Sequence, residues 1–304
     1  MNPVASVIIR CRDEERFIGQ ALEAVFGQEA CPPFEVIVID SGSKDSTLDI
    51  VRGFDVRLYE IPPGGFTFGS ALNYGAGLAE GEYLVNLSAH CIPVDANWMA
   101  NLLSPLMEDA SIVATYGKQE PIIGLNPFEE MTLINDFAPD ANGDILPVFS
   151  NSNCAIRKET WSKYKFDEET AHAEDFIWAK RLPPQCKIKY APDASVYHSH
   201  PLTFRYWKSR HHNGGLFVWY LENIYGIEWP WAPSDKKESV GILRGLLLSY
   251  RSFLTTLRHV NGFLIGHGYY RYALISPAVI YLQGYYYRKG LKDAERRYEH
   301  IQKR

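Results

Sequence analysis

The sequence predicts an α/β fold: a mainly parallel, doubly wound central sheet with flanking helices, followed by a helical C-terminal extension. Strand-like and helix-like segments alternate at short spacing over about the first 120 residues, an order that calls for parallel strands joined by right-handed crossovers. The run Tyr83 to Leu87 is largely apolar and stops abruptly in polar residues, as does a strand buried on both faces. With 304 residues and 46% hydrophobic content, the chain can bury one large core and still carry an appendage.

Taken in order, Ala5 to Arg10 reads as the first strand. Glu15 to Gln28 reads as a helix with Phe17, Ile18, Ala21, Leu22, Val25 and Phe26 on its apolar face. Glu35 to Asp40 is the second strand and turns at Ser41, Gly42 and Ser43. Ser46, with Asp49 three residues on, is a capping-box pattern announcing the next helix. Val56 to Ile61 is the third strand; the glycine-rich PPGGFTFGS and a helix around Ala71 to Ala79 lead into the central run. Ser88, Ala89 and His90 then fall at the carboxyl end of that strand, and Asp40 at the end of its own. Both lie on the sheet edge where open α/β proteins bind ligands. A carboxylate there can accept hydrogen bonds from a ribose or base, or simply cap its turn. Farther on, Lys187 to Tyr190 and Ser195 to His198 read as two short strands. His198 and His200 in extended chain point the same way, so both can face one ion or phosphate.

Composition narrows the function classes. The five cysteines are odd in number, widely spaced and without a CxxC pair, so they indicate free thiols in a reducing compartment. The N-terminus enters a strand almost at once and reaches charge by Arg10, leaving no room for a signal peptide, so a cytoplasmic location is expected. GxGxxG and GxxxxGK[ST] are both absent, which argues against a dinucleotide-binding domain and a P-loop NTPase.

Four motifs in order, SVIIRCRDEERFIGQALEAVFGQ, FEVIVIDSGSKDST, GEYLVNLSAHCIP and AEDFIWAKRL, followed by HSH, resemble the family-two glycosyltransferases of GT-A fold. Within these the likeness is to bacterial surface-polysaccharide, rhamnosyltransferase-like members, over roughly residues 4–215. The resemblance implies a nucleotide-diphosphate sugar donor and a GT-A domain over 1–225. Its nucleotide-sugar half is about 1–120 and its acceptor half about 121–225. It places Arg10, Asp13, Glu14, Asp40, Ser41, Asn73, Ser88 and His90 around the nucleotide sugar. It implies a divalent metal, Mn²⁺ or Mg²⁺, on the diphosphate, held by His90 and His198, with His200 the alternative to His198. Many members have an aspartate where this chain has His90; imidazole ligates Mn²⁺, hard Mg²⁺ prefers oxygen, and a histidine can also hydrogen-bond the diphosphate with no metal. By the same resemblance Asp175 is the base that takes the acceptor's proton and Glu174 supports it. Acids at a helix N-terminus also stabilise the helix unaided.

The net charge of -5 conceals a basic tail: residues 236–304 carry 13 of the 31 basic side chains and 4 of the 36 acidic ones. Lys237 to Val260 reads as an amphipathic helix, and the uncharged, tyrosine-rich run Tyr272 to Tyr287 is too short to span a bilayer. Together they mark 226–304 as a basic, aromatic helical extension suited to peripheral contact with the inner face of the cytoplasmic membrane rather than to nucleic acid. The sequence thus points to an inverting transferase acting on a hydroxyl of a surface-polysaccharide, lipid-linked acceptor. A sugar-phosphate nucleotidyltransferase and a non-catalytic nucleotide-sugar or glycan-binding relative are the alternatives.

Overall fold

The computed structural model describes residues 2–62, 64, 66–138, 149–170, 172–227 and 242–302, the side chains of 242–251, 300 and 302 excepted. The elements run β1 (Ala5–Cys11), α1 (Ile18–Phe26), β2 (Phe34–Asp40), α2 (Thr47–Val51), β3 (Arg57–Glu60), α3 (Phe68–Leu78), β4 (Tyr83–Ser88) and β5 (Cys91–Pro93). There follow α4 (Trp98–Glu108), β6 (Ile112–Glu120), α5 (Pro127–Asp136), β7 (Asn153–Arg157), α6 (Lys158–Lys163), α7 (Glu174–Arg181) and β8 (Lys187–His198). Three long helices complete the chain: α8 (Phe204–Ile224), α9 (Ile242–Gly266) and α10 (Tyr270–Gln302). Two compact units result, one of 1–122 with 132–200 and one of 123–131 with 201–304.

In the first unit eight strands form one sheet in the order β3-β2-β1-β4-β7-β6-β8-β5. The strands β3, β2, β1 and β4 are parallel, as the sequence predicts. Successive residues of β1 point to opposite faces: Val7 and Ile9 pack with Leu22 of α1 and Leu102 of α4, whereas Ile8 packs with Leu72 of α3 and Trp178 of α7. Helices therefore cover both faces, and that is why these strands read as continuous apolar runs. Gly75 lets α3 lie close, since an added Cβ would meet Ile8 at 2.7 Å.

The sheet is mainly parallel as expected, with antiparallel pairs beyond β4 where β7 inserts between β4 and β6. Finer expectations are corrected by the structure. The two short strands expected around Pro192 are one strand, β8, whose register against β6 jumps between Gly117 and Gln119; proline is tolerated at such an irregularity. Ser46 is the N-cap of α2 but makes no side-chain cap bond, and the reciprocal capping box belongs to Thr67 and Ser70 at α3 instead. Two residues of the glycine-rich PPGGFTFGS, at 63 and 65, and the start of the amphipathic helix, 237–241, lie outside the described residues.

In the second unit α8 and α10 pack backbone to backbone at Gly215 and Gly290, where an added Cβ would collide with carbonyl oxygens of Tyr287 and His212. Tyr298 of α10 is buried against Trp219 and Tyr220. Ser276 donates to Asn261 Oδ1 at 2.7 Å, joining α10 to α9. Two histidines of α8 are engaged within this unit: His212 Nε2 lies 2.9 Å from Asp293, and His211 packs on Trp207, where burial and then Arg210 lower its pKa to about 4. One face of α10 stays open to solvent, with Tyr270, Leu274, Tyr281 and Tyr285 all exposed, Leu274 by 83%.

Candidate functional site

The carboxyl ends of the parallel strands gather the predicted residues on one edge. Cys11 pairs with Asp40 and Arg10 with Ser88, which sets the ends of β1, β2 and β4 side by side. The chain entering β7 arrives at the same edge, since Ser88 N–H donates to Ser152 O at 3.1 Å. The end of β8 joins through the pairing of His198 with Cys91.

At this edge three histidines meet. The ring centroids of His90 and His198 lie 5.1 Å apart, those of His90 and His200 4.2 Å, and those of His198 and His200 5.0 Å. One nitrogen from each falls within 4.8 Å of the other two, and this is the one such cluster among the described residues. Nδ1 of His90 contacts Glu14 Oε1 at 2.8 Å, and Nδ1 of the buried His198 contacts Gln119 Oε1 at 2.5 Å. The histidine the sequence left as an alternative to His198 is therefore its neighbour in one group. Three imidazole nitrogens so gathered can hold a divalent ion once the rings draw together: nitrogens about 2.1 Å from a tetrahedral ion stand roughly 3.4 Å apart, so the closure needed from the 4.8 Å limit is at most about 1.4 Å.

The second feature is the pair at the start of α7. Ala173, its N-cap, has φ 57°, an uncommon value for a residue with a Cβ, and it turns the chain so that Glu174 is buried and Asp175 half-buried. Asp175 accepts hydrogen bonds from Asn151 N–H at 3.0 Å and Phe176 N–H at 2.8 Å. Glu174 accepts from Asn151 Nδ2 at 3.2 Å, and the Asn151 side-chain oxygen accepts from Asn86 Nδ2 at 3.1 Å. Loss of solvent, followed by the adjacent Glu174 carboxylate, raises the Asp175 pKa to about 7 against the opposing pull of those two N–H groups and of Arg10. A carboxyl group so tuned can take a proton near neutral pH. Arg10 itself stacks over Phe68 at 4.3 Å, and its buried Nε has no hydrogen-bond partner among the described residues. It is a cation with a donor to spare, suited to an anionic group.

The remaining predicted residues divide. Asp40 is fully buried and spends its oxygens on its own turn, accepting from Gly42 N–H at 2.8 Å, Ser43 N–H at 3.0 Å and the Ser43 hydroxyl. Ser41 is buried against Cys11 O. Asp13, exposed and with φ 54°, accepts from Lys44 N–H at 2.7 Å, so the loop after β1 is laced to the turn after β2. Ser88 is buried beside Arg10. The Asn73 amide donates to Phe166 O and Glu168, and its oxygen accepts from Trp161 Nε1 and Phe166 N–H. All of its hydrogen-bonding capacity goes to bracing α3 against 161–168. Sequence reasoning passed over Gln119, Asn86 and Phe68; of these only Asn86 carried a signal, an amide inside an apolar strand.

Comparison with known proteins bears on the family and the fold. The O-antigen chain rhamnosyltransferase WbaN of Salmonella anatum is 32% identical over 205 residues, 63% of this chain and 65% of that protein. RfbN of Salmonella typhimurium, also an O-antigen chain rhamnosyltransferase, is 29% identical, again over 65% of its length, so the chain spans just under two thirds of these relatives. Among solved structures, the mannosyltransferase PcManGT from Pyrobaculum calidifontis, in complex with GDP-Man and Mn²⁺, superposes with a TM-score of 0.58 at 16% identity, over 93% of this chain and 86% of that one. The glucosyl-3-phosphoglycerate synthase of Mycobacterium tuberculosis, with Mn²⁺, UDP-glucose and phosphoglyceric acid, does so with a TM-score of 0.55 at 18% identity, over 75% and 81%. At these identities the two structures establish the GT-A fold. The family model for glycosyl transferase family 2 matches residues 6–164, more than half of the sequence, and the chain belongs to that family.

Proposed function

We propose that the chain is an inverting glycosyltransferase that moves a sugar, of the deoxyhexose kind that its rhamnosyltransferase relatives carry, from a nucleotide-diphosphate donor to a hydroxyl of a bacterial surface polysaccharide. The observation that carries this reading is Asp175. It is half-buried, raised in pKa, oriented by two backbone N–H groups, and on the same edge as the half-buried Arg10 cation and three histidines. In the reaction Asp175 takes the proton of the acceptor hydroxyl as that oxygen bonds to the anomeric carbon. The anomeric bond to the diphosphate breaks with its electron pair leaving on the diphosphate oxygen. Glu174 keeps the Asp175 proton affinity high, and Asn151 holds both carboxylates in place. Arg10 offers its unused Nε–H to the diphosphate, and the laced loops of Asp13 and Asp40 shape the nucleotide side. A divalent ion held by the histidines would supply positive charge to the leaving group.

In the test, Asp175→Asn loses transfer while donor binding, followed by thermal shift, stays within about twofold of wild type. Full transfer by the variant overturns the assignment. Donor hydrolysis by the wild type without acceptor separates an enzyme from a binding relative.

The acceptor side extends the proposal to a lipid surface. No helix of the described residues is long and apolar enough to cross a membrane. The open face of α10 nevertheless carries Tyr270, Leu274, Tyr281 and Tyr285, which helical spacing places within one narrow arc, and the exposed Arg288, Lys292 and Arg296 continue that arc. Aromatic rings followed by cations suit the headgroup level of an anionic membrane, where a lipid-linked acceptor resides.

A further inference from the structure

We propose that a groove along β8 and the end of β6 is a second carbohydrate site, one that holds a stretch of uncharged glycan outside the catalytic edge. Only the identification of that glycan as the growing acceptor rests on the transferase reading.

The groove begins in an irregularity of the sheet. Gly117 of β6 pairs with Ala191 of β8 and Gln119 with Val196, so the single residue Lys118 stands against the four from Pro192 to Ser195. The extra residues bulge away from the ladder, and bulges re-aim side chains beside functional surfaces. This one is fastened in place: Asn101 Nδ2 donates to Asp193 O at 3.0 Å, Asn153 Nδ2 to Ala194 O at 2.7 Å and Val94 N–H to Ser195 O at 3.0 Å. Ala194 lies so close to Gly117 that a Cβ there would collide with its carbonyl oxygen. The bulge is therefore a preformed wall, with Asp193 exposed on it.

The cavity it borders measures about 450 Å³, within the ~300–1,000 Å³ range of ligand pockets. Its lining combines an apolar platform with hydrogen-bonding groups. The rings of Tyr190 and Phe137, with centroids 6.2 Å apart and planes inclined at 34°, offer π-electron faces that suit the C–H face of a pyranose. Asp95, Glu120 and Asp193 supply carboxylates that accept from sugar hydroxyls, in hydrogen bonds strengthened by the charge. Burial, with Glu120 and Asp193 nearby, raises the Tyr190 pKa to about 12, so its phenol stays protonated and can donate. Three carboxylates face one ammonium, and that one, Lys118 Nζ, lies 3.2 Å from Glu120. Such a lining repels phosphates and acidic sugars and leaves an uncharged saccharide as the ligand. The acids do not gather on a cation, since the three histidines are the one metal-type cluster among the described residues.

The groove borders the catalytic edge without belonging to it. Strand alternation turns the Glu120 side chain to the face opposite that of Gln119, the partner of His198. A glycan in the groove thus reaches the end of β6, where the histidine edge begins. Holding the chain there raises the effective concentration of its end at that edge.

The experiment uses the full-length protein. Short fragments of neutral, deoxyhexose-containing bacterial polysaccharides are titrated in by calorimetry, with oligogalacturonate as the acidic control and oligolysine as the basic one. At least one neutral fragment should bind, and neither control should. Asp193→Ala should weaken that fragment roughly tenfold or more, and Tyr190→Phe, which keeps the ring and removes the donor, roughly threefold or more. Circular dichroism should show both variants folded, and their melting temperatures should respond to UDP, GDP, dTDP and CDP with Mn²⁺ as wild type does. Equal binding by wild type and both variants places the glycan elsewhere and overturns the groove, as does a preference for either charged control. Failure of every neutral fragment to bind also overturns it, and a nucleotide response in the same protein then leaves the transferase reading standing. Glycan binding that Asp193→Ala weakens, with no response of the wild type to any nucleotide, upholds the groove and counts against the transferase reading.

Discussion

Replacing Asp175 with asparagine should stabilise the protein more at pH 8 than at pH 5, at the expense of transfer. Burial and the Glu174 carboxylate raise the Asp175 pKa from 3.8 to about 7. The folded chain therefore binds more protons than the unfolded chain between those two values. The stability contributed by this group falls as pH rises through that window and stays low above it. Integrated from pH 5 to pH 8, the loss is about 2–3 kcal/mol. Asparagine carries no charge at either pH and escapes it. The substitution has a cost of its own, because asparagine offers one oxygen to the two N–H groups of Asn151 and Phe176, so one of them loses its acceptor. That costs about 1 kcal/mol at both pH values. The melting temperature of the variant relative to wild type should rise by roughly 4–12 °C from pH 5 to pH 8, taking about 2–4 °C per kcal/mol. Thermal unfolding of both proteins at the two pH values, free of metal and nucleotide, measures the difference. A gap that is the same at both would mean that the carboxyl titrates as an ordinary aspartate, and the reason for making it the base would be gone.

Other perturbations probe the neighbouring assignments. Asn73→Ala strands the indole N–H of Trp161 and the N–H of Phe166, so it should destabilise by about 2–4 kcal/mol in denaturant melts while leaving nucleotide affinity unchanged in the folded fraction. A selective loss of nucleotide affinity would return Asn73 to the donor site. Arg10→Met keeps the stacking bulk on Phe68 but removes the cation, and should weaken nucleotide-diphosphate binding by roughly tenfold, with little effect on binding of the nucleoside alone. Equal loss for both ligands would show that Arg10 supports the fold rather than the phosphates. Leu274→Glu with Tyr281→Glu places charge on the open face of α10 and should abolish sedimentation with anionic liposomes at low salt, with transfer to a water-soluble acceptor retained. Liposome binding that survives the double change would remove the membrane from the proposal.

The first half of the fold was legible because its physics is local. A strand covered by helices on both faces must be apolar at nearly every position, and β1, β2 and β4 announce themselves by that. The five residues of β7 carry no such mark: their place, antiparallel between β4 and β6, is fixed by pairings with residues about 40 to 70 positions away. Strand β8 reads as two short segments in the sequence, and only its irregular pairing with β6 shows how Pro192 is carried within one strand. The histidines could be found because strand ends and alternate spacing put chemistry on a known edge. Asn73 could not be sorted in the same way, since an asparagine that meets a nucleotide and one that braces a tryptophan look identical in one dimension.

Asn86 shows where a stricter reading of the sequence would have gone further. An amide at the centre of a strand buried on both faces cannot stay without hydrogen bonds, so its presence in YLVNLS requires a polar partner across the sheet. That partner is Asn151, which in turn holds Glu174 by its side chain and Asp175 by its backbone. The one polar position of the central run therefore leads, in two steps, to the proposed base. The linkage ties the carboxylate pair at the start of α7 to β4, a strand buried at every residue. A loop that begins from a strained Ala173 gains a fixed reference that its own backbone does not supply.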